Sequence, residues 1–485
     1  MLFNSIDFII FLPVVFFLYW FVVYKNLKYQ NLLIVIASYF FYGSWDWKFL
    51  GLIIFSTVVD YFIGLKLSKE EVVFKRKLLL GLSIAINLGF LGFFKYYNFF
   101  IDSFVSTFSF FGIGIEARYL NIILPVGISF YTFQTLSYTI DIYKRKIQPT
   151  KDFIMFAAFV SFFPQLVAGP IERAENLLSQ FSRPKNFKFV NIQFGFIRIL
   201  WGLFKKVVIA DRLSIIVNTA YNSPEDYGGL HFIVATVFFA FQIYCDFSGY
   251  SDIAIGTARM FNIKLMENFR TPYFSKSLGE FWRNWHISLS TWFRDYLYIP
   301  LGGNKVAKIR WYTNILIVFV VSGFWHGASW TFIIWGAIHG IILILESIFT
   351  SVRFKNRIIN LKYINIFKIL VTFSITCFAW VFFRANSTQE AFFIINKFVD
   401  FSTPLVTNLR GQELYFNQPL WKLMASATLI LVLVFLEYLI RKNKINEIIL
   451  IQKSIFVRWC VYLTVILTIL FFGVFETNEF IYFQF

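Results

Sequence analysis

Long apolar runs separated by short charged connectors are the feature of this sequence that most restricts its fold. Residues 8–23, 49–65 and 78–94 are examples. A bilayer-spanning helix needs about 20 apolar residues, and only helices or closed barrels satisfy their backbone in lipid. The chain is 58% hydrophobic and 15% charged, whereas soluble domains carry about 25% charged residues. We predict an all-α, polytopic integral membrane protein that forms one membrane-embedded domain over residues 1–485, with about eleven transmembrane helices plus re-entrant or interfacial helices.

The connectors indicate how the chain is oriented and what its positive charge means. Lys25 and Lys28 follow the first apolar run, and residues 66–77 form a strongly basic connector. Basic residues concentrate in cytoplasmic loops, which predicts an extracytoplasmic N-terminus. The acidic tail with Glu476 and Glu479 predicts an extracytoplasmic C-terminus. The net charge of +18 is therefore explained by basic residues in cytoplasmic connectors. Because no basic nucleic-acid motif is present, we predict the lipid bilayer as partner and no nucleic acid.

Three segments do not fit simple spans. Residues 153–178 contain Pro164 and Pro170 and lead to a basic stretch, which indicates a broken, re-entrant element. Residues 270–310 are amphipathic and rich in tryptophan, so we interpret them as a second re-entrant or interfacial region. Residues 312–349 are long enough for two spans with a tight turn and have basic flanks. This predicts a hairpin that enters from the cytoplasm, and if His326 is near its tip, it lies about 20 Å along the helix from the inner surface.

Two tryptophan–histidine motifs are the strongest functional signal. His286 lies in Phe-Trp-Arg-Asn-Trp-His-Ile-Ser-Leu-Ser (residues 281–290), and His326 lies in Phe-Trp-His-Gly (residues 324–327). Ionisable groups are costly in hydrocarbon and usually mark a site there. An imidazole can take a proton from a hydroxyl and return it to a leaving group. We predict that His326 is functional, and that His286 orients it, positions a substrate or lines a tunnel. The alternatives are a structural and an interfacial histidine.

The other two histidines are predicted to pack rather than react. His339 lies in Gly-Ala-Ile-His-Gly (residues 336–340), a pattern of small residues that lets helices approach closely. His231 stands at the edge of a span. The three cysteines, Cys245, Cys377 and Cys460, are far apart and show no metal-binding spacing. We therefore predict neither a disulfide framework nor a metal site.

Asp246, Ser248 and Asp252 form a polar notch in the apolar run 232–260. The serine is not in a G-x-S-x-G elbow, so a serine nucleophile is not indicated. Hydrogen bonding at a wet cavity is the favoured interpretation. Binding of a cation by the two carboxylates is the alternative.

Basic residues surround the two histidine motifs. A phosphorylated thioester such as a coenzyme A derivative, or a phosphopantetheine carrier, would need such charges at a cytoplasmic mouth. Ordinary positive-inside residues are the alternative. No phosphate-cradling glycine loop is present, so ATP hydrolysis is not indicated. The set comprises Arg270, Lys276, Arg283, Arg294, Lys305 and Lys308.

These motifs together resemble the membrane-bound O-acyltransferase (MBOAT) family, in particular its bacterial branch similar to the alginate O-acetyltransferases. Further stretches that carry the resemblance are residues 124–131 (LPVGISFY), 163–171 (FPQLVAGPI), 244–252 (YCDFSGYSD) and 383–386 (FRAN). The resemblance implies a helical core with a transmembrane tunnel, with His326 as the catalytic histidine and His286 as the second signature residue. It implies a bacterial cytoplasmic membrane. The residues expected along the donor path or tunnel are Trp285, Asn284, Trp325, Arg283, Arg294, Asp246 and Ser248.

The predicted function is transfer of an acyl group, most simply acetyl, from a cytoplasmic thioester to an extracytoplasmic polysaccharide or to a partner protein that acylates it. The donor would be acetyl-CoA or another acyl thioester as substrate, with no bound cofactor. An exported accessory acetyltransferase protein is the expected partner. A D-alanyl transferase for teichoic acid is one alternative. A transporter or flippase is the alternative of another class, although no inverted repeat is visible.

Overall fold

The computed structural model describes residues 1–167, 169–352, 362–402, 407–409, 412–443, 453–475 and 480–483. Glu476 and Glu479 of the predicted acidic tail lie outside the described residues. Within them the chain is predominantly helical. The helices are α1 (Ile6–Phe17), α2 (Leu27–Gly43), α3 (Leu50–Lys69), α4 (Val73–Leu91), α5 (Tyr97–Phe110), α6 (Ile128–Tyr143), α7 (Phe153–Ser161), α8 (Phe163–Leu166), α9 (Ala174–Phe181), α10 (Phe189–Leu203), α11 (Asp211–Tyr221), α12 (Gly229–Met260), α13 (Leu278–Asn284), α14 (Ile287–Phe293), α15 (Lys308–His326), α16 (Trp330–Val352), α17 (Lys362–Arg384), α18 (Thr388–Lys397), α19 (Leu420–Arg441) and α20 (Ile455–Phe472).

Shorter elements extend or join these helices. Wider π-helical turns follow α1, α4, α10 and α14, at Leu18–Val22, Gly92–Tyr96, Phe204–Ala210 and Arg294–Tyr298. Tight 3-10 turns occur at Trp47–Phe49, Pro224–Asp226, Pro272–Phe274 and Ile481–Phe483. A small antiparallel sheet of order β1-β2-β3 consists of Thr407–Leu409, Gln412–Tyr415 and Gln418–Pro419.

Seven helical segments of the described chain are long and apolar enough to cross a membrane: Trp47–Lys69, Val73–Phe110, Gly229–Met260, Trp330–Phe349, Tyr363–Arg384, Leu420–Arg441 and Ile455–Phe472. Their exposed surfaces are rich in large apolar side chains such as Phe62, Phe435 and Phe471. Such surfaces suit lipid rather than water. The predicted all-α, polytopic membrane fold is confirmed. The count of about eleven spans stays a prediction.

The described chain divides into two compact units, and the prediction of one functional domain stays a prediction. The first unit comprises Met1–Phe196 and Ile253–Met266. In it α6 packs against α3 and α4, and α2 packs against α7. A buried carboxyl group joins three of these helices, since Asp60 of α3 accepts hydrogen bonds from Ser83 (2.6 Å) and Asn87 (2.8 Å) of α4, and Ser83 contacts Thr139 of α6 at 3.1 Å.

The second unit comprises Ile197–Asp252 and Glu267–Phe485. Its best-defined element is the antiparallel hairpin of α15 and α16, which confirms the predicted pair of helices in residues 312–349. Glycines allow the close approach. A Cβ atom on Gly323 would stand 2.2 Å from the carbonyl oxygen of Phe332, and one on Gly336 would stand 2.2 Å from that of Phe319. Helix α17 packs on the other side of α16.

Two segments depart from a single continuous helix. Within residues 120–143 the helix begins only at Ile128, because Gly127 adopts a left-handed conformation (φ 75°) just after Pro125. Residues 153–178 form the short helices α7 and α8 and the start of α9. The chain bends at Phe162, and most of this segment is buried. A broken element was predicted there, and the structure has one.

Candidate active site

His326 is the last residue of α15 and lies in an aromatic cluster of the second unit. It is 2% exposed. The rings of Trp325 and Trp335 each lie 5.0 Å from its imidazole, centroid to centroid, and the ring of Phe383 lies 5.6 Å away. The helix ends here because Gly327 turns the chain in an extended conformation. A Cβ at Gly327 would stand 2.1 Å from the ring of Phe332, so the turn next to the histidine has room only for glycine.

His286 joins the same cluster from a different part of the chain. It stands between α13 and α14 and is completely buried. Its backbone is left-handed (φ 43°, ψ 53°), which costs a residue other than glycine about 1–3 kcal/mol and is common at functional sites. The two imidazole centroids are 6.3 Å apart. The structure therefore brings together the two histidines that the sequence singled out.

A short C-terminal segment forms another wall of this cluster. Phe480 and Ile481 are buried, and the Ile481 N–H donates to Oδ2 of Asp246 at 2.8 Å. The ring of Tyr482 lies 5.6 Å from that of His326 and 6.3 Å from that of His286. The described part of the predicted tail thus packs against the histidines.

Asp246 and Ser248 belong to a buried network of ion pairs and hydrogen bonds next to the aromatic cluster. Consecutive lysines on the π-helical turn Phe204–Ala210 reach both residues. Lys206 pairs with Asp246 and with Asp211, each at 2.7 Å. Lys205 donates to the Ser248 hydroxyl at 2.8 Å and pairs with Asp252 at 2.5 Å. Buried charges need such pairing.

Between the two polar residues, Phe247 packs 4.6 Å from the His286 ring. The predicted notch therefore places an aromatic residue against the site and engages its own polar groups in ion pairs and hydrogen bonds.

A large cavity with a basic lining lies on one face of α13. Its volume is about 1420 Å³. Arg283 and Arg294 line it, as do Lys276 and Lys368, together with the indole of Trp311. Arg294 also pairs with Asp295 at 2.8 Å. Guanidinium and ammonium groups beside aromatic surfaces suit a phosphorylated ligand with a planar base.

A second cavity, of about 860 Å³, lies on the other face of α13. Asn284 lines it, and its amide donates to the Ser275 hydroxyl at 3.3 Å. Trp285 is fully buried and stacks on Phe281 at 5.5 Å, with Trp380 at 5.1 Å. Asn284 and Trp285 therefore position the end of α13.

One layer of aromatic side chains stands between the first cavity and the histidines. Among the described lining residues of both cavities, neither His326 nor His286 is present. Trp282 lines the first cavity, its ring lies 5.7 Å from that of Trp335, and Trp335 contacts His326. Trp282 and Trp335 therefore lie between this cavity and His326.

The remaining histidines pack as predicted. His339 is fully buried and accepts a hydrogen bond from the Trp282 indole N–H at 3.4 Å. His231 is 2% exposed and lies between the rings of Tyr227 and Phe416 at 5.2 and 5.1 Å.

Sequence reasoning missed two residues of the site, Asn268 and Tyr482. Asn268 contacts His286 directly but is one amide in a stretch without helical periodicity. Tyr482 is the other, and its neighbours suggested only an extracytoplasmic tail. A run of aromatic residues after an acidic segment was the available signal for the second residue.

The sequence of this chain is similar to a protein family and to several known proteins. A family model described as MBOAT, membrane-bound O-acyltransferase family, matches residues 86–388. A probable alginate O-acetylase of Pseudomonas syringae pv. tomato is 42% identical over 398 residues, which are 81% of this chain and 74% of that protein. A peptidoglycan O-acetyltransferase of Helicobacter pylori is 38% identical over 428 residues (82% of this chain, 80% of that protein). A teichoic acid D-alanyltransferase of Streptococcus thermophilus is 32% identical over 237 residues (46% and 56%).

Proposed function

The chain belongs to the membrane-bound O-acyltransferase family, and we propose that it moves an acetyl group from a cytoplasmic thioester to a hydroxyl of an extracytoplasmic polysaccharide. Relatives that act on two different polymers, alginate and peptidoglycan, support this class of acceptor. The protein is an O-acyltransferase, and its family favours the enzyme over the transporter alternative. A bacterial cytoplasmic membrane with both termini on the outer side is the location that fits this reaction.

The pairing of His286 with His326 is the observation that carries the proposal. Their rings are 6.3 Å apart in a buried aromatic cluster. A neutral imidazole can accept the proton of a hydroxyl. His326, at the tip of its hairpin, is the group for which we propose the role of base.

The proposed reaction has two steps and is balanced in protons. His326 accepts the proton of the acceptor hydroxyl while the hydroxyl oxygen bonds to the thioester carbonyl carbon. The tetrahedral adduct then loses its carbon–sulfur bond, and the departing thiolate takes the proton from the imidazolium. The products are an ester and a thiol, and the histidine returns to its starting state.

The basic cavity beside α13 is the place we propose for the donor. Arg283, Arg294, Lys276 and Lys368 offer several positive charges to the phosphates of acetyl-CoA or of a phosphopantetheine carrier. The thioester end would have to pass Trp282 to reach His326. An exported accessory protein that takes the acetyl group onward is part of the proposal.

Transfer in proteoliposomes tests this function. The full chain is reconstituted with radiolabelled acetyl-CoA on the side of the basic cavity and O-deacetylated polysaccharide on the other. We expect label in alkali-labile ester on the polymer, and Arg283→Ala is expected to raise the KM for the donor about 10-fold while kcat changes little. Arg118→Ala, which removes a positive charge from the first unit, is the matched control. Absence of acetyl transfer from every donor tried, both to the polymer and to an added accessory protein, by folded protein, would refute the proposal.

The D-alanyl alternative is distinguished by the donor. The same vesicles are loaded with D-alanyl carrier protein in place of acetyl-CoA. Transfer of D-alanine at a higher kcat/KM than acetyl would replace the acetyl assignment and leave the acyltransferase mechanism intact.

A further inference from the structure

Asn268 binds the segment around His286 through both its side chain and its backbone. It is 1% exposed. Its Oδ1 accepts the Ser288 backbone N–H at 3.2 Å and the Ser288 hydroxyl at 2.9 Å, and lies 3.2 Å from Nδ1 of His286. Its main-chain carbonyl accepts the Ile287 N–H at 2.9 Å. Its amide NH₂ donates to the Ser251 hydroxyl at 3.3 Å. These bonds hold residues 286–288 in place.

The orientation of the Asn268 amide follows from chemistry. A backbone N–H is only a donor, so the side-chain atom that faces the Ser288 N–H must be the carbonyl oxygen. If the amide were flipped, its NH₂ group would face the N–H of Ser288, and the Ser251 hydroxyl would face a carbonyl. The oxygen assignment therefore does not depend on the histidine.

The protonation of His286 follows from that oxygen. A carbonyl oxygen cannot donate, so a hydrogen bond across the 3.2 Å contact to Nδ1 needs the proton on Nδ1. His286 lies outside the seven candidate spans, and complete burial lowers its pKa to about 3, so the ring is neutral. A neutral imidazole has one N–H. Its Nε2 then carries a lone pair and acts as an acceptor.

We propose that Asn268 is a positioning residue of the acyl transfer, which holds His286 in the Nδ1-protonated tautomer and so provides a hydrogen-bond acceptor at Nε2 in the histidine pair. The role in acyl transfer rests on the proposed function, whereas the tautomer of His286 does not. In this tautomer His286 can accept a hydrogen bond at Nε2, while His326 remains the proposed base. A neutral His286 in this tautomer cannot donate from Nε2 to an oxyanion.

The surroundings of His286 determine how a change of charge would act. Among the described residues, titratable groups in ring contact with it include the imidazole of His326 on α15 and the phenol of Tyr482. On α12, Asp246 lies next to the packed Phe247 and is compensated by Lys206. A carboxylate placed at Asn268 would therefore be a new charge at hydrogen-bond distance from the ring.

The tautomer can be measured without turnover. The chain has four histidines, so ¹⁵N-histidine labelling of the full chain gives few ring signals. His286→Gln identifies the signals of interest by difference. We expect a protonated Nδ1 and an unprotonated Nε2 in the wild type, and a mixture of both tautomers in Asn268→Leu. A protonated Nε2 in the wild type, or a pattern unchanged in Asn268→Leu, would overturn the inference.

Kinetics separate a positioning role from a structural one. Asn268→Leu keeps the volume but removes the acceptor, and kcat is expected to fall at least about 10-fold with the donor KM within about twofold. Asn268→Asp keeps an acceptor, so kcat at high pH should recover. Its negative charge favours the imidazolium, so the acidic limb of the pH–rate profile should move to higher pH.

Asn314→Ala is the matched control. Asn314 is 3% exposed and donates to the carbonyls of Leu301 and Gly303, so it tests the loss of a buried amide away from His286. Equal kcat losses in Asn268→Leu and Asn268→Asp, with unshifted profiles, would contradict the positioning role. If the wild type transferred no acyl group, the proposed function would fail while the ¹⁵N result still decided the tautomer.

Discussion

Replacing Glu346 by alanine is expected to loosen the first turn of α13. Glu346 lies on α16, and its two carboxyl oxygens accept the backbone N–H groups of Leu278 (3.1 Å) and Gly279 (3.0 Å). The first N–H groups of a helix have no partner within the helix. A side chain from another helix thus caps the seven-residue helix that leads directly to Trp285 and His286.

The size of the effect follows from these two bonds. A hydrogen bond to a charged group contributes about 1.5–3 kcal/mol, and water recovers part of this when the cap is lost. We expect Glu346→Ala to lower the free energy of local opening of α13 by about 3 kcal/mol, which is roughly a 150-fold larger open population. Glu346→Gln keeps one acceptor oxygen and should lose about half as much.

Hydrogen exchange of the amides from Leu278 to His286 measures the opening directly, and kcat reports its effect on the site. Glu390→Ala is the matched control, because Glu390 binds the Asn386 amide next to α18 and its loss should leave α13 unchanged. Exchange in Glu346→Ala at the wild-type rate, with the protein folded, would refute the capping argument.

Two further predictions concern packing and pH. Gly323→Ala places a Cβ 2.2 Å from the carbonyl oxygen of Phe332, so the α15–α16 hairpin should separate, with a lower Tm and much lower kcat. Gly89→Ala, where nothing lies within 4 Å, should leave both nearly unchanged, and equal effects in the two variants would contradict this. Burial raises the pKa of Glu172, which accepts the Met266 N–H at 2.5 Å, from 4.5 to about 7. The folded state then keeps a proton that the unfolded chain loses, so this contribution to stability is full below pH 4.5 and disappears as pH rises through about 7. Glu172→Gln should flatten the pH dependence of Tm in that window, and an unchanged slope would contradict the assignment.

The sequence was sufficient for the elements whose signal is local. Apolar runs of span length appear as helices, and the hairpin of α15 and α16 was predicted. The structure places His326 at the end of α15, where Gly327 ends the helix. The left-handed Gly127 was harder to foresee, because residues 120–143 are largely apolar and only the Pro125–Gly127 spacing argues against one helix.

The site was predictable where a rare residue type marked it. Histidine in an apolar chain is such a mark, and both His286 and His326 are in the cluster. Asn268 and Tyr482 are ordinary residue types, and they reach the cluster from 18 residues before His286 and from the far end of the chain. A local sequence pattern cannot predict that residues so far apart in the chain meet at one site. The ion pair between Lys206 and Asp246 could not be predicted from the sequence either, because it depends on the π-helical turn of Phe204–Ala210.

Single-turnover transfer by His326→Gln tests the central claim most directly. The matched control is His231→Gln, which also replaces a buried histidine of the second unit. Both variants are purified as full chains, and their transfer rates are compared provided that their Tm values agree. With the enzyme in excess over the radiolabelled acetyl donor, loss of the base should slow ester formation by His326→Gln about 10²–10⁴-fold while His231→Gln stays near the wild-type rate. Ester formation by folded His326→Gln within twofold of the wild-type rate would contradict the account.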